Sequence, residues 1–194
     1  KVVLLSGYGA DLASGTGPIV GMHHAEKILS EIGSISLTIV RVGYFYTNFI
    51  HHFKSSIKQT GFIGSNYGGP DRLLLVHPSD IAVAASAELL SVTTIGTTIC
   101  YVVSDERTAD EIATALGRAI NLPDLKWVTF TDEQIVEGLL QRGLPASVAA
   151  SVAEMGAAIH SGALTAHYDS EPRAALGKIK LEDYAVEFGV AFNA

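Results

Sequence analysis

Cysteine, charge and long apolar runs are all scarce in this chain. Its 194 residues contain a single cysteine, Cys100, so no disulfide can form within it. That suits a reducing, cytoplasmic setting. Only 17% of residues are charged, where soluble domains usually carry about 25%. The 13 basic residues face 20 acidic ones, giving a net charge of -7, and they do not cluster. Phosphate backbones are held by clustered Lys and Arg, so direct nucleic-acid binding is not expected. Apolar runs such as 35–42 and 73–76 stop well short of the roughly 20 residues that cross a bilayer, so no membrane association is expected either. The chain also opens without an initiator Met or a signal-like segment. Lys1 runs directly into Val2-Val3-Leu4-Leu5, like a sequence entered partway through a fold.

What is there is apolar and patterned. Hydrophobic residues make up 48% of the chain and mean hydropathy is +0.31, enough apolar surface to offset the entropy of ordering a globular core. Val2 to Ser6 reads as a strand buried on both faces. A Gly-rich loop follows, and Pro18 stands where a helix can begin. Ile19, Met22, Ala25, Ile28, Leu29 and Ile32 recur at helical spacing up to Gly33, which predicts a helix with one buried stripe. Leu37 to Val42 is a second buried strand, completing a parallel crossover unit.

Further along, a helix is predicted from about Asn48 to Ile57, then a Gly-rich loop over 61–70, a brief strand over 73–76 and a helix over 81–90. Asp80 reads as a first-turn acid or cap. Thr97 to Val103 reads as another buried strand. From Asp105 the texture changes: a helix over 108–120, a strand over 126–130, a helix opened by Thr131-Asp132-Glu133-Gln134, an Ala-rich helix over 146–160, and a last amphipathic helix over 181–192.

Several chemistries lack their residues. No G-x-S-x-G elbow supports a serine hydrolase. The His23-His24 and His51-His52 pairs diverge on a helix and lack zinc-ligand spacing, so no metal site is expected. Gly7 and Gly9 begin a dinucleotide-like G-x-G, but the third glycine position holds Leu12. Arg41 would face a 2′-phosphate in that reading. The simpler reading is a strand-to-helix loop at the carboxyl edge of a sheet. Trp127 reads as core or pocket wall, and one of Met155, His160 and Tyr168 is a candidate to line a pocket.

Three segments, in order, resemble the distal two-thirds of the NmrA-like proteins, atypical members of the short-chain dehydrogenase/reductase superfamily, and in particular their quinone-reductase-type members. These are His24-x-Glu26-Lys27-Ile28-Leu29 through Leu37-Thr38-Ile39-Val40-Arg41, then Val42-Gly43-Tyr44-Phe45-Tyr46-Thr47-Asn48-Phe49, then Val76-His77-Pro78-Ser79-Asp80-Ile81-Ala82. The resemblance implies a doubly wound α/β parallel sheet of NAD(P)-binding Rossmann type, present as its C-terminal part over 1–104, with a small α/β substrate-binding portion over 105–194. It also implies that about a hundred residues, a domain-scale piece, precede the match. Open strand edges would then make the isolated chain poorly soluble.

The resemblance implies NADP or NAD as cofactor, lying along Ser6, Gly7, Val42, Gly43 and Tyr44, with Tyr46 and Asn48 toward a small-molecule substrate. The superfamily's Tyr-x-x-x-Lys pair is missing, since those positions hold Pro18 and Met22 if Glu26 is the family's following Glu. One frame later, His23 and Lys27 stand one helical turn apart as candidate acid and partner. The expected activity is hydride transfer to a quinone-like or conjugated acceptor; the alternative is a non-catalytic NAD(P)-binding redox sensor. A homodimer is compatible with either.

Overall fold

The computed structural model describes residues 1–92, 95–172 and 175–194. In chain order its elements are β1 (Val2–Gly7), α1 (Val20–Ser30), β2 (Ser36–Val42), β3 (Tyr44–Phe45), α2 (Thr47–Thr60), β4 (Phe62–Ser65), β5 (Arg72–Val76) and α3 (Pro78–Leu90). They continue with β6 (Gly96–Val102), β7 (Asp105–Thr108), α4 (Ala109–Ala119), β8 (Lys126–Thr129), α5 (Asp132–Gln141), α6 (Ala146–His160), α7 (Ala166–Ser170) and α8 (Leu181–Asn193).

β1, β2 and β6 form a parallel sheet in that order, with Ser6 beside Arg41 and Gly7 beside Val42. β5 lies between β3, parallel, and β7, antiparallel, while β4 pairs in parallel with β8. The last two pairings cross position 104/105, so the N-terminal and C-terminal portions share ladders and a common core. This is an α/β fold with parallel sheets, the class implied by the resemblance.

Local chemistry explains where helices begin. Thr108 caps α4 in a reciprocal box with Glu111, and Thr131 caps α5 in the same way with Gln134, each satisfying two otherwise orphaned N–H groups. Pro78 opens α3, whose cap is the His77 ring accepting from Ser79 N. Asp80 sits in the first turn, where a negative charge is favoured by the helix dipole.

The large core is aromatic: Tyr46, Phe49, Trp127, Tyr168, Tyr184 and Phe188 are buried together with Leu73, Leu74 and Leu75. Burying such rings contributes much of the apolar stabilisation of a domain. A separate small cluster, Val40, Val42 and Val76, lies against the parallel sheet.

Three expectations need correction. The apolar stripe of α1 is not buried: Met22 is 40% and Ile28 63% exposed, and the buried residue of this helix is Glu26. The residue that must reach the sheet interior is Arg41's partner, so the helix turns its acid inward. Neither β1 nor β6 is a fully buried strand: among the described residues each is a sheet edge, with Leu5 51% exposed and Gly96 to Ile99 exposed. The 61–70 loop contains a strand, β4, which Gly61 and Gly64 disguise in the sequence.

Candidate functional site

The carboxyl ends of β1 and β2 carry a buried polar network. Glu26, projecting from α1, takes two hydrogen bonds from Arg41, Nε at 3.0 Å and Nη2 at 2.7 Å, and one from Ser6 Oγ at 2.5 Å. Arg41 Nη1 donates to Tyr101 Oη at 3.2 Å and lies 3.6 Å from Asp11. Tyr101 Oη in turn meets His167 Nδ1 at 2.9 Å. Burial works against the Arg41 cation, but hydrogen bonds and charge from Glu26 and Tyr101 outweigh it and hold its pKa above the ordinary value. Three of its five N–H donors are engaged within the protein, two by Glu26 and one by Tyr101. Asp11 Oδ1 is buried there without a hydrogen-bond partner.

The residues expected from the sequence separate into four groups. Ser6 reaches the network, and Gly7, Val42 and Gly43 form the strand ends beside it. Gly43 has a packing reason: a Cβ there would stand 2.5 Å from the Leu74 carbonyl oxygen, and its N–H donates to Val102 O. His23 Nδ1 hydrogen-bonds the Ala10 carbonyl at 3.0 Å, and Lys27 is exposed to solvent. Tyr46 is fully buried in the aromatic core, stacked on Tyr184 at 4.9 Å and 8°, so its ring faces α8 instead of a ligand cavity. Asn48 is half-buried in the first turn of α2, away from the cavity walls. Tyr44 alone of these residues lines a cavity.

That cavity, of about 680 Å³, is bounded by α2, β4 and the turn after it, α5 and α6. Its apolar walls include Phe53, Phe130, Leu139, Leu144, Val152 and Met155. His51, His52, Gln134 and Arg142 stand among its polar residues. Burial, with the positive neighbours His51 and Arg142, lowers the pKa of His52, which favours the neutral ring at pH 7. A volume of this size suits a small organic ligand.

Tyr44, Tyr67 and Ser65 converge inside it. Tyr8, which follows β1, lies close behind. Burial pushes the Tyr67 phenol up to about 12, with the neighbouring Tyr44 and Ser65 hydroxyls opposing that rise. Tyr67 escaped the sequence reading because it sits within Asn66-Tyr67-Gly68-Gly69-Pro70, which looks like simple turn chemistry. Glu26 and Arg41 escaped as a pair because nothing local joins residues from a helix and the following strand. Met155 does line the cavity, whereas His160 bonds Asp71 at 2.8 Å, and Tyr168 is buried with its hydroxyl on Glu106. Trp127 is buried in the core. Among the described residues no three His, Cys, Asp or Glu side chains are grouped to hold a metal ion, and no helix is long and apolar enough to cross a membrane.

No family model matches the sequence, and no curated protein matches it either. Solved structures do. A nucleoside-diphosphate-sugar epimerase from Staphylococcus aureus is 17% identical at a TM-score of 0.68, over 95% of this chain and 63% of that one. An NADPH-dependent quinone oxidoreductase from Escherichia coli is 18% identical at 0.71, over 95% and 66%. A Citrobacter triphenylmethane reductase is 21% identical at 0.68, over 95% and 65%. The latter two have also been solved with NADPH and NADP(H), respectively. This chain thus spans just under two-thirds of the length of each. Its α/β fold is the one these three solved structures have.

Proposed function

We propose that this chain forms the nicotinamide and substrate side of an NAD(P)-dependent oxidoreductase that reduces a small quinone-like or conjugated molecule. The observation that carries this reading is the position of Tyr44. It follows the carboxyl end of β2, where open α/β sheets bind their ligands, and it also lines the 680 Å³ cavity. One side chain therefore joins a cofactor edge to a substrate pocket.

The residues at that edge fit a nicotinamide nucleotide. Ser6 and Gly7 are small, and Asp11 stands beside them with its Oδ1 3.6 Å from Arg41. When bound, the cofactor supplies the hydride. The protein's part is to orient and to keep water out. Phe53, Phe130, Leu139 and Met155 exclude solvent from the pocket, and the Glu26–Arg41–Ser6 network fixes the strand ends. The edge of β1 away from β2 pairs with no strand among the described residues, and it is open to further parallel strands carrying a phosphate-binding loop.

His23 and Lys27 remain the candidate acid and its partner in this reading. The test is NADPH and NADH oxidation by the natural gene product against a panel of quinones. Turnover supports the reductase. Cofactor binding without turnover on any acceptor supports the redox-sensor reading instead. Replacing His23 and Lys27 with Ala should lower kcat if they act; unchanged kcat and KM would remove them from the mechanism.

A further inference from the structure

The cavity bounded by α2, β4, α5 and α6 runs from a buried end to an exposed mouth. The buried end is firmly held. Asn66 donates its amide to Asp132 Oδ1 and to the Ala153 carbonyl of α6, both at 2.7 Å. The Tyr67 carbonyl accepts from Trp127 Nε1 at 2.7 Å, and the two rings pack with centroids 5.4 Å apart. Phe53, Leu139, Leu144 and Met155 are half-buried and give the cavity apolar walls. The exposed lining residues are polar and come from two helices. His51 and His52 lie on α2, Glu137 and Gln141 on α5, and Arg142 directly after α5.

Charge at this mouth is unbalanced. Among the described residues Glu137 is the only acid lining the cavity, and it already accepts from Gln141 Nε2 at 3.2 Å. Arg142 forms no ion pair and no side-chain hydrogen bond among the described residues, so its guanidinium keeps five N–H donors for a ligand. The fold does not need that side chain, since only the main-chain N–H of Arg142 closes α5, on Gly138 O. Burial opposes protonation of His52, and so do the neighbouring His51 and Arg142. Basic groups gathered without a counter-charge repel one another, and an anion placed among them relieves that repulsion. A neutral imidazole still donates one N–H, so all three side chains have donors to offer an oxyanion. We infer that the molecule received here is amphipathic, with an apolar body between Phe53, Leu139 and Met155 and an oxyanion such as a carboxylate held at the mouth by Arg142, His51 and His52. The inference rests on the reading of this cavity as the substrate pocket and adds the charge of the substrate.

The probes are 2-naphthoate and 2-naphthamide, which share a shape but differ in charge at pH 7, where a carboxylic acid is ionised. Equilibrium dialysis with the natural gene product gives the two dissociation constants, and the readout is their ratio. The unaltered protein should prefer naphthoate by about fivefold, the effect of one solvent-facing charge pair. Arg142→Gln should remove most of that preference, and because the side chain is exposed and unpaired the fold is retained. Naphthamide binding by this variant should stay within about twofold. Glu137→Gln takes the acid from the mouth and should move the ratio the other way, about twofold further toward naphthoate. Salt raised from about 0.05 M to about 0.5 M should shrink the preference by screening. Equal binding of the two probes by the unaltered protein overturns the inference, and so does an unchanged ratio in Arg142→Gln. Binding of neither probe overturns it as well. In each of these cases, menadione-dependent NADPH oxidation by the same preparation leaves the proposed function standing. Absence of turnover with every acceptor, beside a naphthoate preference that Arg142→Gln abolishes, would instead remove the reductase and keep the anion site.

Discussion

The parallel sheet and the aromatic core are stabilised by different means. Around β1, β2 and β6 the buried apolar residues are fewer, Val40, Val42 and Val76 with Leu37 and Ile39, and the strand ends are tied by the Glu26–Arg41 pair. Met22, Ile28 and Ile32 of this side face solvent. The pocket side is built around stacked and edge-on rings, with Phe49 touching Tyr44, Phe53, Trp127 and Tyr184. The pocket therefore forms from its own densely packed residues, while the ligand edge of the sheet depends on charge and leaves apolar surface uncovered. Asp80 links the two, accepting from Ser104 Oγ at 2.7 Å and from the backbone of Lys178 and Ile179 at 3.2 Å.

Breaking each region separately tests this contrast. Phe49→Ala should cost about 3–5 kcal/mol in urea unfolding, the usual loss for a large buried ring. Ile28→Ala, with its side chain 63% exposed, should change stability by no more than about 0.5 kcal/mol. Comparable losses at both positions would mean that the sheet side is packed as tightly as the core.

Glu26→Gln should cost about 3 kcal/mol, the lower end for a broken buried pair, since Asp11 still faces Arg41 at 3.6 Å. Replacing both partners with apolar residues, Glu26→Leu with Arg41→Met, should recover most of that loss. Failure to recover would show that the strand ends need these particular hydrogen bonds and not merely a filled volume.

Asp80→Ala should cost roughly 2 kcal/mol, because buried donors are left without their acceptor. Burial raises the pKa of Asp80, but the bonds from Ser104, Ile179 and Lys178 outweigh it and lower the carboxyl below its ordinary value. A depressed acid contributes stability that is present above the unfolded pKa and is lost as pH falls through the folded one. Unfolding midpoints of the unaltered chain and of Asp80→Asn should therefore converge as pH falls below about 4.

The smallest effect concerns His160. Its hydrogen bond to Asp71 raises its pKa, and the exposed pair contributes little to stability. Any contribution is present below the unfolded pKa of about 6.5 and fades as pH rises through the folded value. Proton NMR titration should find His160 above that reference and Asp71→Asn should return it there.

The sequence made the helices with strong caps legible, as well as the alternation of β1, α1 and β2, because local periodicity and turn chemistry determine those elements. It did not reveal β4, where Gly61 just before the strand and Gly64 within it read as a loop, or the short β3 and β7, whose pairing comes from β5. At the site, Tyr44 was visible from its place after a strand. Tyr46, two residues on, shares that signal but turns into the core, because the strand ends at Phe45 and Tyr46 already has helical dihedrals at the start of α2. Tyr67 carried no local signal at all: its orientation is imposed by Trp127, Asp132 and α6, residues distant in the chain.

The central claim is that the cavity beside Tyr44 receives the molecule that a nicotinamide cofactor reduces. Val152→Trp fills that cavity without touching the strand ends. The most direct measurement compares menadione-dependent NADPH oxidation by the natural gene product with and without this substitution. The account predicts turnover in the unaltered protein and, in the variant, a KM for menadione raised by at least about tenfold with unchanged NADPH affinity. Equal menadione kinetics in the two proteins would contradict it.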